Sequence, residues 1–231
     1  MKSKLQQTLE KNSKVITAEL MPPRGGDPIR SLKIAQLLKD KVHAVNITDG
    51  SRAIMRMCSL AMSKLLLDNG IEPIMQISCR DRNKIALQSD ILGANALGIK
   101  NILCITGDSV KAGDQQETKA VHEFEAVRLL KQIQSFNQGI DPTFDQLPDK
   151  RTEIFSGAAV DPSCQNQRSL KSRTIKKKGA GANFLQTQIV MDRKCLADFC
   201  NEISNPLEIP VIAGVFLLKS YKNALFINKF V

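Results

Sequence analysis

The feature that most constrains the fold is a short apolar run that recurs along the chain, each time followed by a helix-like stretch. The seven runs cover residues 15–20, 42–48, 71–78, 100–107, 154–160, 182–188 and 209–215. Strands that alternate with helices predict a parallel sheet, because parallel neighbours need a crossover between them. Runs of Val, Ile, Leu and Ala without strict alternation indicate strands covered on both faces. We therefore expect a single α/β domain over residues 1–231, a (βα)8 TIM-type barrel that lacks its eighth βα unit.

The composition agrees with a barrel and narrows the range of partners. Hydrophobic residues make up 42% of the chain but aromatic ones only 4%, so Leu, Ile, Val and Ala must fill the core. The formal net charge of +10 suggests an anionic partner, which is nucleic acid, a phosphate-bearing cofactor or a polyanionic small substrate. The densest basic segment, residues 168–178, has no interleaved aromatics for base stacking. We expect no nucleic-acid partner, and a solvated helix face is the alternative for this segment.

The sequence gives little indication of a metal site, a membrane-spanning helix or a signal for secretion. The six cysteines form no Cys-x-x-Cys pair and the chain has two histidines, so we expect no metal site and buried free thiols. The longest apolar stretch, residues 209–218, is about half of what a membrane-spanning helix needs. The first residues lack the apolar stretch of a signal peptide. Together these features favour a cytoplasmic protein with no membrane partner.

Polar residues at the carboxyl ends of the predicted strands are the candidates for a functional site, because barrels of this type build their sites there. In strand order they are Glu19; Asn46, Thr48 and Asp49; Gln76, Ser78 and Arg80; Thr106, Gly107 and Asp108; Asp161; Gln186 and Gln188; and Lys219. The set contains carboxylates and amides but no histidine or reactive cysteine. It therefore favours binding and proton transfer over nucleophilic hydrolysis.

Glu19 is the most specific single candidate for a catalytic residue. It has apolar neighbours in the segment Thr-Ala-Glu-Leu-Met-Pro-Pro, and the prolines make the following loop rigid. A carboxyl group in such surroundings keeps its proton to higher pH, as a general acid requires. The alternative is a strand-end acid paired with Arg24 or Arg52. Asp108, which follows a glycine, fits a simple turn residue equally well.

Four segments resemble those of the methylenetetrahydrofolate reductases: residues 18–23, 45–50, 105–108 and 181–188. The resemblance runs in matching order over nearly the whole chain. Members of that family have a flavin-bearing (βα)8 barrel and pass a hydride from NADH or NADPH through FAD to 5,10-methylenetetrahydrofolate, which gives 5-methyltetrahydrofolate. The resemblance thus implies FAD as cofactor, NADH or NADPH as electron donor and a folate as substrate.

The resemblance also implies roles for individual residues. Glu19 stands at the position of the general acid that assists opening of the five-membered folate ring, and Asp108 at that of a carboxylate near the flavin and the pterin. The implied cofactor-binding residues are Thr48, Asp49, Gln76, Thr106, Gly107, Asp108, Ala159 and a basic pair that meets the FAD phosphates, Lys176 and Lys177. Gln188 and Tyr221 are implied substrate contacts.

Three departures from the family pattern leave alternatives open. Gln76 stands where several relatives have a flavin-contacting histidine, and Thr106 where some have arginine. Family barrels also continue past residue 231 into an eighth strand and helix. Without that unit the first and seventh strands have open edges, so we expect a homo-oligomer or a completing segment or subunit. A catalytically weak folate- or partner-binding subunit is the alternative to an active reductase, and a basic nucleic-acid binder is a third hypothesis.

Overall fold

The computed structural model, which describes residues 1–141, 143, 146, 147 and 151–230, contains one sheet of seven parallel strands. The strands are β1 (Thr17–Leu20), β2 (Ala44–Ile47), β3 (Pro73–Ser78), β4 (Asn101–Ile105), β5 (Phe155–Val160), β6 (Phe184–Ile189) and β7 (Val211–Gly214). They lie side by side in chain order, so each pairs only with its neighbours in sequence. Each predicted run contains one strand, except that β6 extends one residue beyond its run to Ile189, and the predicted TIM-type fold is confirmed as a curled, open barrel.

Helices connect the strands and complete the alternation. They are α1 (Lys4–Glu10), α2 (Ile29–Leu38), α3 (Ser59–Asp68), α4 (Lys84–Ala96), α5 (Ala126–Asn137), α6 (Gln167–Gly179), α7 (Arg193–Phe199) and α8 (Tyr221–Phe230). Short 3₁₀ turns at Ser51–Ala53 and Val110–Ala112 interrupt the loops after β2 and β4, and a π-helical turn at Cys200–Ser204 extends α7. In the part of the chain that the structure describes, β1 and β7 form the two edges of the sheet. The expected oligomer or completing segment stays a prediction.

The two faces of the sheet bury different side chains. On the outer face, Leu20, Val45 and Ile47 pack with residues of α2 and α3, and a larger cluster around Ile77 and Ile102 packs under α4 and α5. On the inner face a smaller cluster of buried apolar residues fills the amino-terminal end of the barrel: Leu5, Ala44, Ile74, Leu103, Phe155, Phe184 and Ile212. The sheet is therefore covered on both faces, as the predominantly apolar runs predict.

Helix α1 closes the amino-terminal end of the barrel. Leu5 on this helix is completely buried in the inner cluster. The Glu72 carboxylate accepts the backbone N–H groups of Lys4 and Leu5 at 2.7 and 2.8 Å, which satisfies two free donors of the first helical turn. Asn101 links this end to the sheet, because it accepts from Ser3 Oγ at 2.6 Å and donates to Glu72 at 3.0 Å. The carboxyl-terminal end of the barrel stays open.

All six cysteines are free thiols, but the expectation that they are buried is right for only two of them. Cys79 and Cys104 are buried, Cys58 is exposed, and the remaining three are half-buried.

Among the described residues, no helix combines the length and the apolar character needed to cross a membrane.

Gly157→Ala should destabilise the protein, because a Cβ there would lie 2.4 Å from the ring of Phe184. Phe184 is fully buried and stacks on Phe155 at 5.4 Å between ring centroids, so it has little room to retreat. Overpacking of this kind costs about 1–3 kcal/mol. The matched control is Gly93→Ala in α4, where the nearest heavy atom would be 3.9 Å away; it should stabilise by about 0.5–1 kcal/mol. Urea denaturation measures both, and a Gly157→Ala variant as stable as the wild type would contradict the packing.

Candidate functional site

A cavity of about 750 Å³ opens at the carboxyl ends of the strands. Its lining includes Glu19, Asn46, Thr48, Asp49, Gln76, Arg80, Thr106, Gly107, Asp108, Ala159, Lys177, Gln186 and Gln188. All the residues with an implied catalytic, cofactor-binding or substrate-binding role except Lys176 and Tyr221 therefore line one cavity, whereas the strand-end candidates Ser78, Asp161 and Lys219 are not part of its lining. Its volume lies in the range typical of small-molecule sites.

The strand register explains why polar side chains meet there. Glu19 pairs with Asn46 across β1 and β2, and Ala159 pairs with Gln186 across β5 and β6, so their side chains share the inner face. Two residues before Gln186 on the same face is Phe184, which belongs to the inner apolar cluster. On β2, β3 and β6 the inner face thus changes from an apolar residue (Ala44, Ile74 and Phe184) to a polar one (Asn46, Gln76 and Gln186), and the polar residues form part of the cavity wall.

Glu19 has the electrostatic character of a general acid. Its side chain is open to the cavity, but the surrounding walls displace much of the bulk water. This loss of hydration disfavours the carboxylate and raises the pKa of Glu19 above its ordinary value of 4.5. The alternative in which Glu19 pairs with Arg24 is wrong, because Arg24 forms its ion pair with Asp114.

Asp49 has a fixed set of partners. Its carboxylate is buried, forms an ion pair with Arg82 at 2.6 Å and accepts the backbone N–H of Ser78 at 2.8 Å. Arg82 also pairs with Asp90 at 2.7 Å, which ties the end of β2 to α4. Asp49 also lines the cavity; these bonds hold the wall in place, and its contact with a cofactor stays a prediction.

Two acidic side chains fasten the loops after β2 and β4 to each other. Asp108 accepts the backbone N–H of Arg52 at 2.6 Å, and Asp114 accepts that of Met55 at 3.1 Å. The loop after β2 is strained, because Arg52 and Ala53 have left-handed φ angles of 58° and 53°. A strained segment that persists next to a cavity needs such external bonds. Asp108 is thus more than the simple turn residue that was the alternative.

The two predicted phosphate-binding lysines lie in different surroundings. Lys177 lines the cavity, and its Nζ donates to the carbonyl of Ala159 at 2.6 Å. Burial, and then the positive charge of Arg173, lower the pKa of Lys177. Lys176, which lies about 100° further round the helix, is exposed and outside the cavity wall. The structure brings only Lys177 to the site.

Tyr221 also lies away from the cavity. It begins α8 and is 77% exposed, and it is not part of the cavity lining. Its contact with a substrate stays a prediction.

Three buried oxygens on the cavity wall have no hydrogen-bond partner among the described residues: Asn46 Oδ1, Thr48 Oγ1 and Gln186 Oε1. Leaving such a group unpaired costs about 1–3 kcal/mol, so these atoms favour a polar ligand that supplies donors. The sequence places Asn46 and Gln186 among the strand-end candidates but assigns them no individual role. Asn46 lies two residues before Thr48, and Gln186 lies two residues before Gln188. This spacing puts each pair on one face of the sheet, so it is the sequence feature that could have identified Asn46 and Gln186 as site residues.

The chemistry of the cavity is that of binding and proton donation. It combines one acid with a raised pKa, unpaired oxygens and a partly buried ammonium group. In the described ranges, no group of three or more His, Cys, Asp or Glu side chains is arranged to hold a metal ion.

The chain matches known proteins over most of its length. The model of the methylenetetrahydrofolate reductase family matches residues 4–231. A curated relative from Caenorhabditis elegans, a probable methylenetetrahydrofolate reductase (NADPH), is 23% identical over 98% of this chain and 34% of its own length. The chain therefore spans about a third of that relative.

Solved structures with the same fold include proteins of several activities. An uncharacterized protein from Clostridium thermocellum that binds two copies of 5-methyl-5,6,7,8-tetrahydrofolic acid has a TM-score of 0.61 and 14% identity, over 90% of this chain and 68% of that one. A 2,3-dimethylmalate lyase also has a TM-score of 0.61, with 12% identity over 97% of this chain and 76% of that one. The deoxyribose phosphate aldolase from Aeropyrum pernix has a TM-score of 0.56 and 13% identity, over 96% and 87%. At these identities the likeness establishes the fold alone.

Glu19→Gln should raise the melting temperature at neutral pH, by roughly 2 °C, because it removes a poorly hydrated charge. The folded protein raises this pKa, so the destabilising contribution of Glu19 appears as pH rises past the unfolded value and is complete above the folded one. Well below pH 4.5 the carboxyl is protonated in both states, and the difference should vanish. Thermal denaturation across pH checks this.

The control for that experiment is Glu10→Gln on α1. Hydrogen bonds from Lys2 and Gln6 lower the pKa of Glu10, so its replacement should give no increase in melting temperature at neutral pH. A lower melting temperature for Glu19→Gln at neutral pH, or an increase that persists in acid, would show that loss of hydration does not control Glu19.

Proposed function

The chain belongs to the methylenetetrahydrofolate reductase family, and we propose that it reduces 5,10-methylenetetrahydrofolate to 5-methyltetrahydrofolate with electrons from NADH or NADPH passed through FAD. The observation that carries this proposal is the placement of Glu19, an acid with a raised pKa, on a cavity wall with three unpaired oxygens. This arrangement suits a reaction that needs a proton donor beside a polar heterocycle. The folate ligand of the Clostridium thermocellum neighbour supports the substrate class.

The residues of the cavity fit FAD. The unpaired oxygens of Thr48 and Gln186 suit a heterocycle with N–H donors, and the Lys177 ammonium suits a phosphate. Gly107 lies against Ser78, where a Cβ would come within 2.2 Å of Oγ, so the loop that follows β4 can take this path along the cavity only with glycine there. When bound, FAD would supply the hydride to the methylene carbon of the folate.

Glu19 would act when the five-membered folate ring opens. Its carboxyl proton passes to N10 as the bond between N10 and the methylene carbon breaks, and the electron pair of that bond stays on N10. The other nitrogen then carries the positive charge of a 5-iminium group. Asp108, whose carboxylate lies on the same cavity, would stabilise this cation. Glu19 is open to the cavity, so solvent can restore its proton after product leaves.

Glu19→Gln should separate the two half-reactions of the proposed enzyme. Stopped-flow measurement of flavin absorbance should show folate reduction slower by about 10²–10⁴-fold, because glutamine cannot supply the proton. Oxidation of NADH or NADPH needs no such proton and should change by only a few fold.

The control for this experiment is Glu10→Gln, since Glu10 lies on α1 at the closed end of the barrel. It should leave both half-reactions at the wild-type rate. Equal losses in the two half-reactions of Glu19→Gln would rule out the proton-donor role. A purified protein that binds 5-methyltetrahydrofolate but shows no visible flavin absorbance would favour the alternative of a folate-binding subunit.

Lys177→Gln should weaken FAD binding by about tenfold or more, because a partly buried ammonium group that meets a phosphate would be lost. Lys176→Gln removes the same charge one residue away on the exposed side of α6 and should change the affinity much less. Titration of the apoprotein with FAD, followed by flavin fluorescence, gives both dissociation constants. Equal losses would show that the total charge of α6, rather than the position of Lys177, controls binding.

A further inference from the structure

Asn46 and Glu19 are neighbours across the first two strands. They are Cα partners in the register of β1 and β2, so their side chains leave the same face of the sheet about 4.8 Å apart. Both line the cavity. Asn46 is only 3% exposed, so its carboxamide has little access to water.

Asn46 lacks a hydrogen-bond donor and protonated Glu19 lacks an acceptor, so each side chain can supply the partner that the other needs. Asn46 Oδ1 is a buried acceptor with no donor. In its protonated form Glu19 has an O–H donor, and within the described chain no side chain or backbone group bonds to its carboxyl. With the Asn46 amide oriented as in the structure, an ionised Glu19 would instead place a second acceptor beside Oδ1, which is unfavourable.

Among the ionisable groups that line the cavity, Glu19 is the one available to donate a hydrogen bond to Asn46 Oδ1. Those groups are Asp49, Arg80, Cys104, Asp108 and Lys177. Four of them are bonded elsewhere, in ion pairs or to backbone groups: Asp49, Arg80, Asp108 and Lys177. Cys104 belongs to the apolar cluster on the helix side of the sheet, and burial raises the pKa of its thiol well above the usual range, so it stays neutral.

We propose that Asn46 is a positioning residue for the general acid, and that its Oδ1 accepts a hydrogen bond from the protonated carboxyl group of Glu19. The bond forms only with the acid form, so it favours the protonated state and fixes the carboxyl against β2. Its part in the reaction rests on the function proposed above: substrate N10 replaces Asn46 as the acceptor when the folate ring is bound. The bond itself exists without substrate.

The test is the titration of Glu19 in the Asn46→Leu variant. Carbon-13 NMR of the glutamate carboxyl groups follows it, with the Glu19 signal assigned by its absence in Glu19→Gln. We expect Glu19 to titrate at lower pH in Asn46→Leu than in the wild type. The added leucine makes the surroundings more apolar, which alone would raise the pKa, so a decrease can come only from the lost acceptor.

Two further variants complete the experiment. Thr48→Val removes the other unpaired oxygen next to Asn46, two residues on and just after the end of β2, and it should leave the titration of Glu19 unchanged or move it to higher pH. Asn46→Thr restores an acceptor and should return the titration part of the way. Thermal denaturation checks folding, which Asn46→Leu should not impair because it removes an unpaired buried group.

In the active protein, the rate of the folate half-reaction should fall with rising pH, and the fall should begin at a lower pH in Asn46→Leu than in the wild type. The pH dependence of NADH or NADPH oxidation should not move. A Glu19 titration that is unchanged or moves to higher pH in Asn46→Leu overturns the proposal. Weaker folate binding with an unchanged titration also overturns it, since Asn46 would then accept from the ligand. The NMR result stands even if no flavin or folate chemistry is found, so the two proposals fail separately.

Discussion

The in-register pairing of seven parallel strands is the constraint on which the site depends. Side chains alternate between the two faces of a strand, so a shift of one residue would exchange the inner and outer sets. Leu20 and Ile47 would then face the cavity, while Glu19 and Asn46 would lie among the apolar residues under α2 and α3. The large cost of burying a carboxyl and an amide in that core fixes the register, and the same register assembles the cavity wall.

The scaffold uses most of the charges near the cavity for its own stability. Asp49 and Arg82 connect β2 with α4, and Asp108 and Asp114 hold the strained loop after β2. These side chains keep fixed partners and hold the wall and the loops in place. Glu19 has no such partner within the described chain, so its proton responds to hydration and to the ligand. A rigid wall with one responsive acid is the arrangement that controlled proton transfer requires.

The sequence predicts the strands and the cavity well because both depend on local patterns. Apolar runs give the strands, and the carboxyl ends of parallel strands must meet at one rim. Long-range partners are invisible in such patterns: Arg24 bonds to Asp114 through loop geometry that no spacing reveals. The difference between Lys176 and Lys177 follows from the angle between successive helical residues, but only once the inner side of α6 is known. Tyr221 depends on the position of α8 beyond the last strand, which periodicity does not determine.

The location of Glu19 on β1 makes its acidity sensitive to the edge of the sheet. In the described chain β1 pairs only with β2, and the pKa of Glu19 is raised even with that single neighbour. An apolar group that covers the other side of β1 would displace more water and raise this pKa further. Closure of that edge and binding of a ligand in the cavity therefore act in the same direction on Glu19. The register of β1 and β2 places the Glu19 carboxyl group on the cavity wall. The degree to which water is excluded around this group determines the pH at which it can donate its proton.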